Sequence, residues 1–249
     1  MKNFTFKLLL GAFIFAFAGI SNAQDVVDLT GIDNPNILGD TLPDVPDGAV
    51  ILLEPGMVYN GGYDFDKSVT IQSSEPANLN LPQIDCADNY NFADGASIDS
   101  IVFKNIEFWG EFDARYVLNS NVGATVGELR FESCYIHNLR GILRMKDNGP
   151  GTLDKYTIMD CEIDSIRDYG LLTVDRDDWM VNDIMIKNST VSRTRSFITS
   201  RNNSSSVVIE NCTMFQVTAT GQRMFRWRTD GQDNVTDGIM IANTIWGHA

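Results

Sequence analysis

Basic side chains recur at matching places in the C-terminal half of the sequence. They lie in short apolar–polar alternating segments, as Arg144, Lys146, Arg201, Arg226 and Arg228. A row of guanidinium groups suits carboxylates or sulfates, which arginine can bind bidentately. The pattern therefore predicts a binding site for an acidic polysaccharide. The alternative is a solvated face with cross-strand charge pairs, such as Lys146–Asp175–Arg201.

A dense group of carboxylates lies close to these basic residues in the sequence. Asp175, Asp177 and Asp178 fall within four consecutive positions. Oxygen ligands of this kind could bind Ca²⁺, or two of them could form the acid/base pair of a glycoside hydrolase. A solvated turn is the structural alternative.

Two ring-bearing residues form a further candidate for substrate binding. Trp109 and His137 fall at the same place in successive repeats, in one outward-facing set with Asp164, Ser192 and Phe215. Rings on neighbouring coils could stack against a sugar. A contact between a surface aromatic residue and a loop would explain the same residues.

The element that must position these side chains is an eight-residue pattern that occurs six times. It reads apolar, any, apolar, any, Asn/Ser/Asp, small or apolar, any, apolar, with successive spacings of 28, 27, 28, 23 and 32 residues. The copies are 101–108, 129–136, 156–163, 184–191, 207–214 and 239–246. A period in this range indicates a repeat architecture, read here as one coil per repeat.

The pattern itself describes two short strands joined by a bend. Period-two alternation predicts strand on both sides of the fifth position. That position is usually Asn, which tolerates a left-handed backbone. Stacked coils repeat about every 4.8 Å, so these side chains should form a ladder. A third alternating segment follows in each coil, and the predicted fold is an all-β, right-handed parallel β-helix with three strands per coil.

In the third strand, alternation predicts two outward columns of side chains. The first column comprises Asn119, Arg144, Thr173, Thr199 and Arg226. The second column comprises Asn121, Lys146, Asp175, Arg201 and Arg228. Neighbouring side chains within a column are expected about 4.8 Å apart, a spacing comparable with one sugar unit.

The N-terminus indicates export. The segment 6–20 is almost wholly apolar, with Lys2 before it and Lys7 at its start, and it precedes Ser21-Asn22-Ala23. This arrangement is typical of a secretory signal peptide over residues 1–23. We therefore predict a secreted, periplasmic or cell-surface protein with no transmembrane segment after cleavage. Residues 24–97 form a lead-in and N-terminal coils, and 98–249 hold the six repeats. Because the chain stops in mid-coil, we expect a truncated C-terminus.

Charge and cysteine content narrow the possible partners. The formal net charge is −14, and loss of two lysines with the signal peptide would make it −16, which argues against nucleic acid as a partner. The four cysteines show no C-x-x-C spacing. Three of them, Cys134, Cys161 and Cys212, share the sixth repeat position. They form either an inward stack of thiols or, for Cys134 and Cys161, a disulfide between coils.

The N-terminal coil carries a more specific signal. It reads D-G-A-V-I-L-L-E-P-G-M-V-Y over 47–59, followed by K-S-V-T-I over 67–71. This stretch resembles the opening coil of the pectate-lyase-like β-helix superfamily. It is most similar to the branch with alginate lyases, chondroitin-cleaving lyases and related exported bacterial β-helix proteins. The resemblance extends from Asp47 to the end of the chain.

The resemblance implies a lyase that cleaves a uronate-containing polysaccharide by β-elimination. In such enzymes Lys and Arg act as base and acid, and Ca²⁺ or basic residues neutralise the carboxylate. On that basis Lys146 is the predicted base, and Arg201 and Arg228 the acid or carboxylate-binding groups. Arg144, Arg226, Trp109 and His137 would bind substrate. The alternative is a non-catalytic glycan-binding or cell-surface structural module, since the fold supports both.

Overall fold

The described part of the chain winds into a parallel β-solenoid of about seven turns. The computed structural model describes residues 24–146, 149–218, 221–228 and 234–247. The predicted signal peptide, residues 1–23, lies outside them. The nearly all-β parallel solenoid confirms the predicted β-helix. Strands are numbered β1 to β22 along the chain.

The first sheet contains nine parallel strands, and each pairs with the equivalent strand of the next coil. In spatial order they are β1 (Val26–Asp28), β2 (Ala49–Leu53), β5 (Val69–Ser73), β8 (Ser97–Lys104), β11 (Thr125–Glu132), β13 (Gly151–Met159), β15 (Trp179–Lys187), β18 (Ser206–Glu210) and β21 (Ile239–Ala242).

The second sheet contains eleven strands and, from β10 onwards, includes both later segments of the coils. The segments after the first bend are β3 (Val58–Asn60), β6 (Gln83–Asp85), β9 (Glu107–Trp109), β12 (Tyr135–Met145), β14 (Glu162–Val174), β16 (Thr190–Thr194), β19 (Thr213–Val217) and β22 (Ile245–Gly247). The separate third segments are β10 (Tyr116–Ser120), β17 (Ile198–Ser200) and β20 (Phe225–Trp227). In β12 and β14 the second and third segments form one continuous strand.

Three small elements complete the N-terminal part. Strands β4 (Asp64–Phe65) and β7 (Asn91–Phe92) pair with each other. A short helix, α1 (Ile37–Thr41), continues into a 3-10 turn at Leu42–Asp44. None of the helices in the described ranges is long and apolar enough to span a membrane.

The first bend of each repeat is left-handed at the fifth position, as the sequence predicts. All six residues there have φ between 49° and 55°. In the C-terminal coils their side chains form the expected ladder. Asn188 donates to Asp160, Asn211 to Asn188 and Asn243 to Asn211, over 3.1, 3.1 and 3.2 Å. One small polar side chain per coil therefore turns the chain and ties the coils together.

The interior is a stack of apolar side chains in register. Leu129 lies between Ile101 and Tyr156 in the first sheet, and all three are buried. The rings of Phe103 and Phe131 stack with centroids 5.3 Å apart. Alternating apolar residues become continuous inward files because each coil repeats the same register.

The D-G and K-S-V-T-I motifs have structural roles in the opening coils. Asp47 accepts a hydrogen bond from the Ser68 amide at 2.8 Å, and the Lys67 ammonium donates to the carbonyls of Pro43 and Val45. The Tyr59 hydroxyl accepts the Glu54 amide at 2.9 Å. These contacts account for the motif without reference to substrate.

All four cysteines are buried and unpaired. The Cys134 and Cys161 thiols donate weakly to backbone carbonyls, including Phe103 and Phe131. The inward stack of thiols therefore describes the structure, and the alternative Cys134–Cys161 disulfide is not formed. Burial raises the pKa of the Cys134 thiol well above its ordinary value, which keeps it protonated and a poor nucleophile.

Candidate functional site

The third segments of the coils form one face of the solenoid, which we call the third-strand face. A polar cleft of about 220 Å³ lies on this face in the C-terminal coils. Its positive side chains are Arg223, Arg226 and Arg228. The other lining residues are Asp168, Tyr169, Thr173, Asp175, Ser196, Thr199, Gly221 and Gln222.

The predicted columns are present in the structure. In the first column Arg144 pairs with Asn119 and Thr173, and Thr199 pairs with Thr173 and Arg226. Backbone hydrogen bonds place the second column in the same order. The amide of Asp175 donates to the Met145 carbonyl, that of Arg201 to Val174 and that of Arg228 to Ser200. Lys146 and Arg201 therefore lie on the same wall.

Arg144 is held within the wall beside the cleft. Its Nε is 2.8 Å from Asp175 Oδ2, and its guanidinium carbon lies 4.1 Å from the centroid of the Tyr169 ring. Burial alone would lower the pKa of Arg144, but the hydrogen bond that Arg144 donates to Asp175 and the nearby Tyr116 raise it. For the Tyr116 hydroxyl, burial acts in the other direction and raises the pKa to about 12. The predicted substrate-binding role of Arg144 thus competes with a full set of internal contacts.

Both carboxylates that line the cleft are neutralised by arginines outside the lining. Asp175 pairs with Arg144 at 2.7 Å, and Asp168 pairs with Arg195 at 2.8 Å. Asp168 also lies 3.5 Å from Arg140. These carboxylates are therefore already paired, and they offset the remaining positive charge of the cleft only in part, through the attraction between Asp175 and Arg228.

Three exposed guanidinium groups of the lining, Arg223, Arg226 and Arg228, carry that charge. The exposed Arg201 lies close to Arg228 beside the cleft, and we call the four together the arginine cluster. Within the described residues, none of the four makes an ion pair with a carboxylate. The pKa of Arg228 is lowered, first by burial and then by the positive charges of Arg226 and Arg201. Such crowding of like charges favours an anion that relieves it.

The remaining predicted site residues lie away from this cleft. Lys146 follows β12, next to Asp175 in the second column, and does not line the cleft. His137 lies in β12 just before Asn138, where the chain makes a second left-handed bend. Its Nε2 is 2.9 Å from Glu107, and its ring stacks on that of Tyr135 with centroids 4.2 Å apart. Trp109 pairs in register with Asp85 on the same second-strand face. The structure thus separates Trp109 and His137 from the arginine cluster.

The three predicted calcium ligands do not converge. Asp175 is paired with Arg144, and Asp178 accepts a hydrogen bond from the Gly149 amide at 3.3 Å. Asp177 contributes its backbone carbonyl to Asn202. In the part of the chain that the structure describes, no group of three or more His, Cys, Asp or Glu side chains is placed to hold a metal ion. A calcium role for these residues stays a prediction.

Sequence reasoning missed Tyr169 and Arg223. Tyr169 lies in a bulge, since Leu139–Gly141 of β12 faces Ile166–Gly170 of β14 with two extra residues. That insertion is visible as a longer spacing between the second and third segments of this repeat. Arg223 lies in the loop before β20, which carries no repeat pattern to place it.

Comparison with known families identifies the class of the chain. A family model described as a domain of unknown function, DUF4957, matches residues 57–194, which are 138 of the 249 residues. The chain therefore belongs to the DUF4957 family. No match was found among curated proteins. Since the family description states no activity, the likeness to polysaccharide lyases stays a prediction.

Proposed function

We propose that this chain is an exported β-helix protein that binds an acidic polysaccharide in the cleft of the third-strand face. The observation that carries the proposal is the arginine cluster. Four exposed guanidinium groups converge there, while the carboxylates lining the same cleft are paired elsewhere. Although the protein as a whole is strongly acidic, arginines without an ion-pair partner among the described residues lie together at this cleft.

The chemistry of the cleft suits carboxylate or sulfate groups on a sugar. Guanidinium groups present paired donors that match planar carboxylates, and Thr199, Ser196 and Gln222 add neutral groups that can bond to hydroxyls. Tyr169 provides an aromatic wall. Charged groups fix an anionic sugar while neutral donors and acceptors recognise its hydroxyls.

Binding of acidic polysaccharides to Arg226→Gln and Arg228→Gln variants tests the proposal. Each substitution keeps a polar side chain and removes one charge-assisted contact, so we expect an affinity about tenfold lower. Lys155→Gln is the matched control, because Lys155 is a 41% exposed cation on the first sheet, beside Glu128. Equal affinities for all three variants and the parent protein would refute binding in the cleft.

Catalysis by β-elimination is the second candidate function. It is favoured by the position of Lys146 in the same column as Arg201 and Arg228. We propose Lys146 as the base for the C5 proton, with Arg201 and Arg228 as the carboxylate-binding or acid groups. The neutral amine of Lys146 takes the C5 proton, a C4–C5 double bond forms as the C4–oxygen bond breaks, and the acid group protonates the leaving oxygen.

An absorbance assay for the unsaturated product tests this chemistry. Alginate, pectate and chondroitin are incubated with the protein, with and without Ca²⁺. Product formation that disappears in Lys146→Ala supports the lyase. A Lys146→Ala variant with full activity would remove that assignment, and binding without product on any polymer would favour a non-catalytic glycan-binding or cell-surface module.

A further inference from the structure

The first column extends further towards the N-terminus than the arginines do. Asp64 pairs with Asn91, and the Asn119 amide donates to the Tyr90 carbonyl at 2.9 Å. Asn119 therefore follows Asn91 one coil along. The extended column reads Asp64, Asn91, Asn119, Arg144, Thr173, Thr199, Arg226.

Charge is distributed unevenly along this extended column. Arg226, which is exposed and makes no ion pair with a described carboxylate, lies at the C-terminal end of the column. The exposed carboxylate of Asp64 lies at the other end. Arg144 in the middle is neutralised by Asp175. Six steps of about 4.8 Å separate the ends, so the column is about 29 Å long. Within this column, the positive charge that no described carboxylate neutralises therefore lies at the C-terminal end.

The intervening side chains are uncharged hydrogen-bonding groups. Asn91 and Asn119 are partly exposed, although the amide oxygen of each is itself buried and has no hydrogen-bond partner among the described residues. The exposed parts of these side chains carry no charge, and an amide side chain can hydrogen-bond to a sugar hydroxyl. This part of the wall matches neutral sugars better than uronates.

We propose that the ligand is a heteropolysaccharide in which an acidic sugar is flanked by neutral sugars. The acidic sugar binds the arginine cluster, and the neutral sugars follow the column past Asn119 and Asn91. A continuous polyuronate would place carboxylates beside neutral amides and, at the end, beside Asp64. This inference rests on the proposed function and specifies the composition of its ligand.

Calorimetric titration with defined tetrasaccharides tests the inference. The probes carry one uronate and three neutral hexoses, four uronates, or four neutral hexoses, and the free uronic acid serves as the short reference. We expect the mono-uronate tetrasaccharide to bind at least as tightly as the tetra-uronate and roughly tenfold more tightly than the monosaccharide, the gain expected of one or two added hydrogen bonds. Affinity that rises with every added uronate would overturn the inference while leaving acidic-glycan binding intact.

Variants separate the two parts of the surface. Asn119→Ala should lower affinity for the mono-uronate tetrasaccharide about threefold to tenfold without changing that for the free uronic acid. Arg226→Gln should lower both, and Lys155→Gln neither. An Asn119→Ala protein that melts like the parent and binds the tetrasaccharide unchanged would overturn the inference. Failure of all three acidic probes to bind would overturn the proposed function itself.

Discussion

At the scale of the residue, the fold depends on side chains that accept a left-handed backbone. The first bend uses Asn, Ser or Asp, which adopt this conformation more readily than most residues. The second bend has φ between 50° and 56° at Asn138, Ser165, Arg193 and Gln216. Arg and Gln are unusual at such a position. Local hydrogen bonds must therefore stabilise the second bend where residue preference does not.

Asn188 offers a direct test of the first bend. It has φ of 50°, donates to Asp160 and accepts from Asn211. Asn188→Ala removes both hydrogen bonds and forces alanine into the left-handed region, so the free energy of unfolding should fall by about 2 kcal/mol. Asn188→Gly keeps the backbone unstrained and should recover about half of the loss. Chemical denaturation measures both, and equal losses would show that backbone preference contributes nothing.

Asp164 stabilises the second bend in a pH-dependent way. Burial raises its pKa, but hydrogen bonds from Arg193, Ser192 and Ser165 outweigh this and lower it below the ordinary 3.8. Asp164 therefore contributes stability above about pH 3.8, which is lost as the pH falls through the lowered folded-state pKa. The difference in unfolding free energy between the parent and Asp164→Asn should shrink below that pH.

A double-mutant cycle with Arg193→Gln identifies the partner. If Arg193 lowers the pKa of Asp164, the acid dependence contributed by Asp164 should be much smaller in the Arg193→Gln background. An unchanged acid dependence would assign the lowered pKa to the serine hydroxyls instead.

At the scale of the element, the bulge in β14 connects the fold with the cleft. The extra residues place Tyr169 against Arg144, and Gly170 returns the chain to the wall with φ of 60°. A β-carbon at Gly170 would lie 2.4 Å from the Ser196 carbonyl oxygen and 2.7 Å from that of Phe197. Backbone on the next coil leaves no room for any side chain there.

Gly170→Ala should therefore be strongly destabilising. Left-handed strain alone is worth about 1–2 kcal/mol, and the collision with two backbone carbonyls adds to it. Gly95→Ala is the matched control, because Gly95 has φ of 69° and no atom within 4 Å of the added β-carbon. The melting temperature of Gly170→Ala should fall well below that of Gly95→Ala, and equal values would show that the two strands separate readily.

The sequence predicted features that repeat, and it missed features that occur once. Asn188 and Asn211 were placed correctly because every coil needs the same bend and the same inward alternation. The partners of Arg144 were not predicted, because Tyr169 lies in a two-residue insertion. The pairing with Asp175 runs diagonally from the first column to the second, and not along one column. Arg223 lies in an irregular loop, where neither periodicity nor residue preference fixes the backbone.

At the scale of the whole molecule, a strongly acidic protein carries a small positive site, and its proposed ligand is an anionic polymer. The formal net charge of −14 repels a polyanion at long range, whereas the arginine cluster attracts it at short range. Salt screens both interactions, but the Debye length is about 8–10 Å at physiological ionic strength, so the long-range term is screened first. The association and dissociation rates should therefore respond to salt differently.

We expect the association rate constant for an acidic glycan to rise, by about twofold to tenfold, as salt increases from 10 to 150 mM. The dissociation rate constant should rise as well, because the guanidinium contacts weaken. Surface plasmon resonance resolves both rates, and Arg228→Gln, which removes one of the four guanidinium groups, should reduce the salt dependence of dissociation while leaving that of association. An association rate that falls with salt would mean that the arginine cluster, and not the net charge, governs the approach of the polymer.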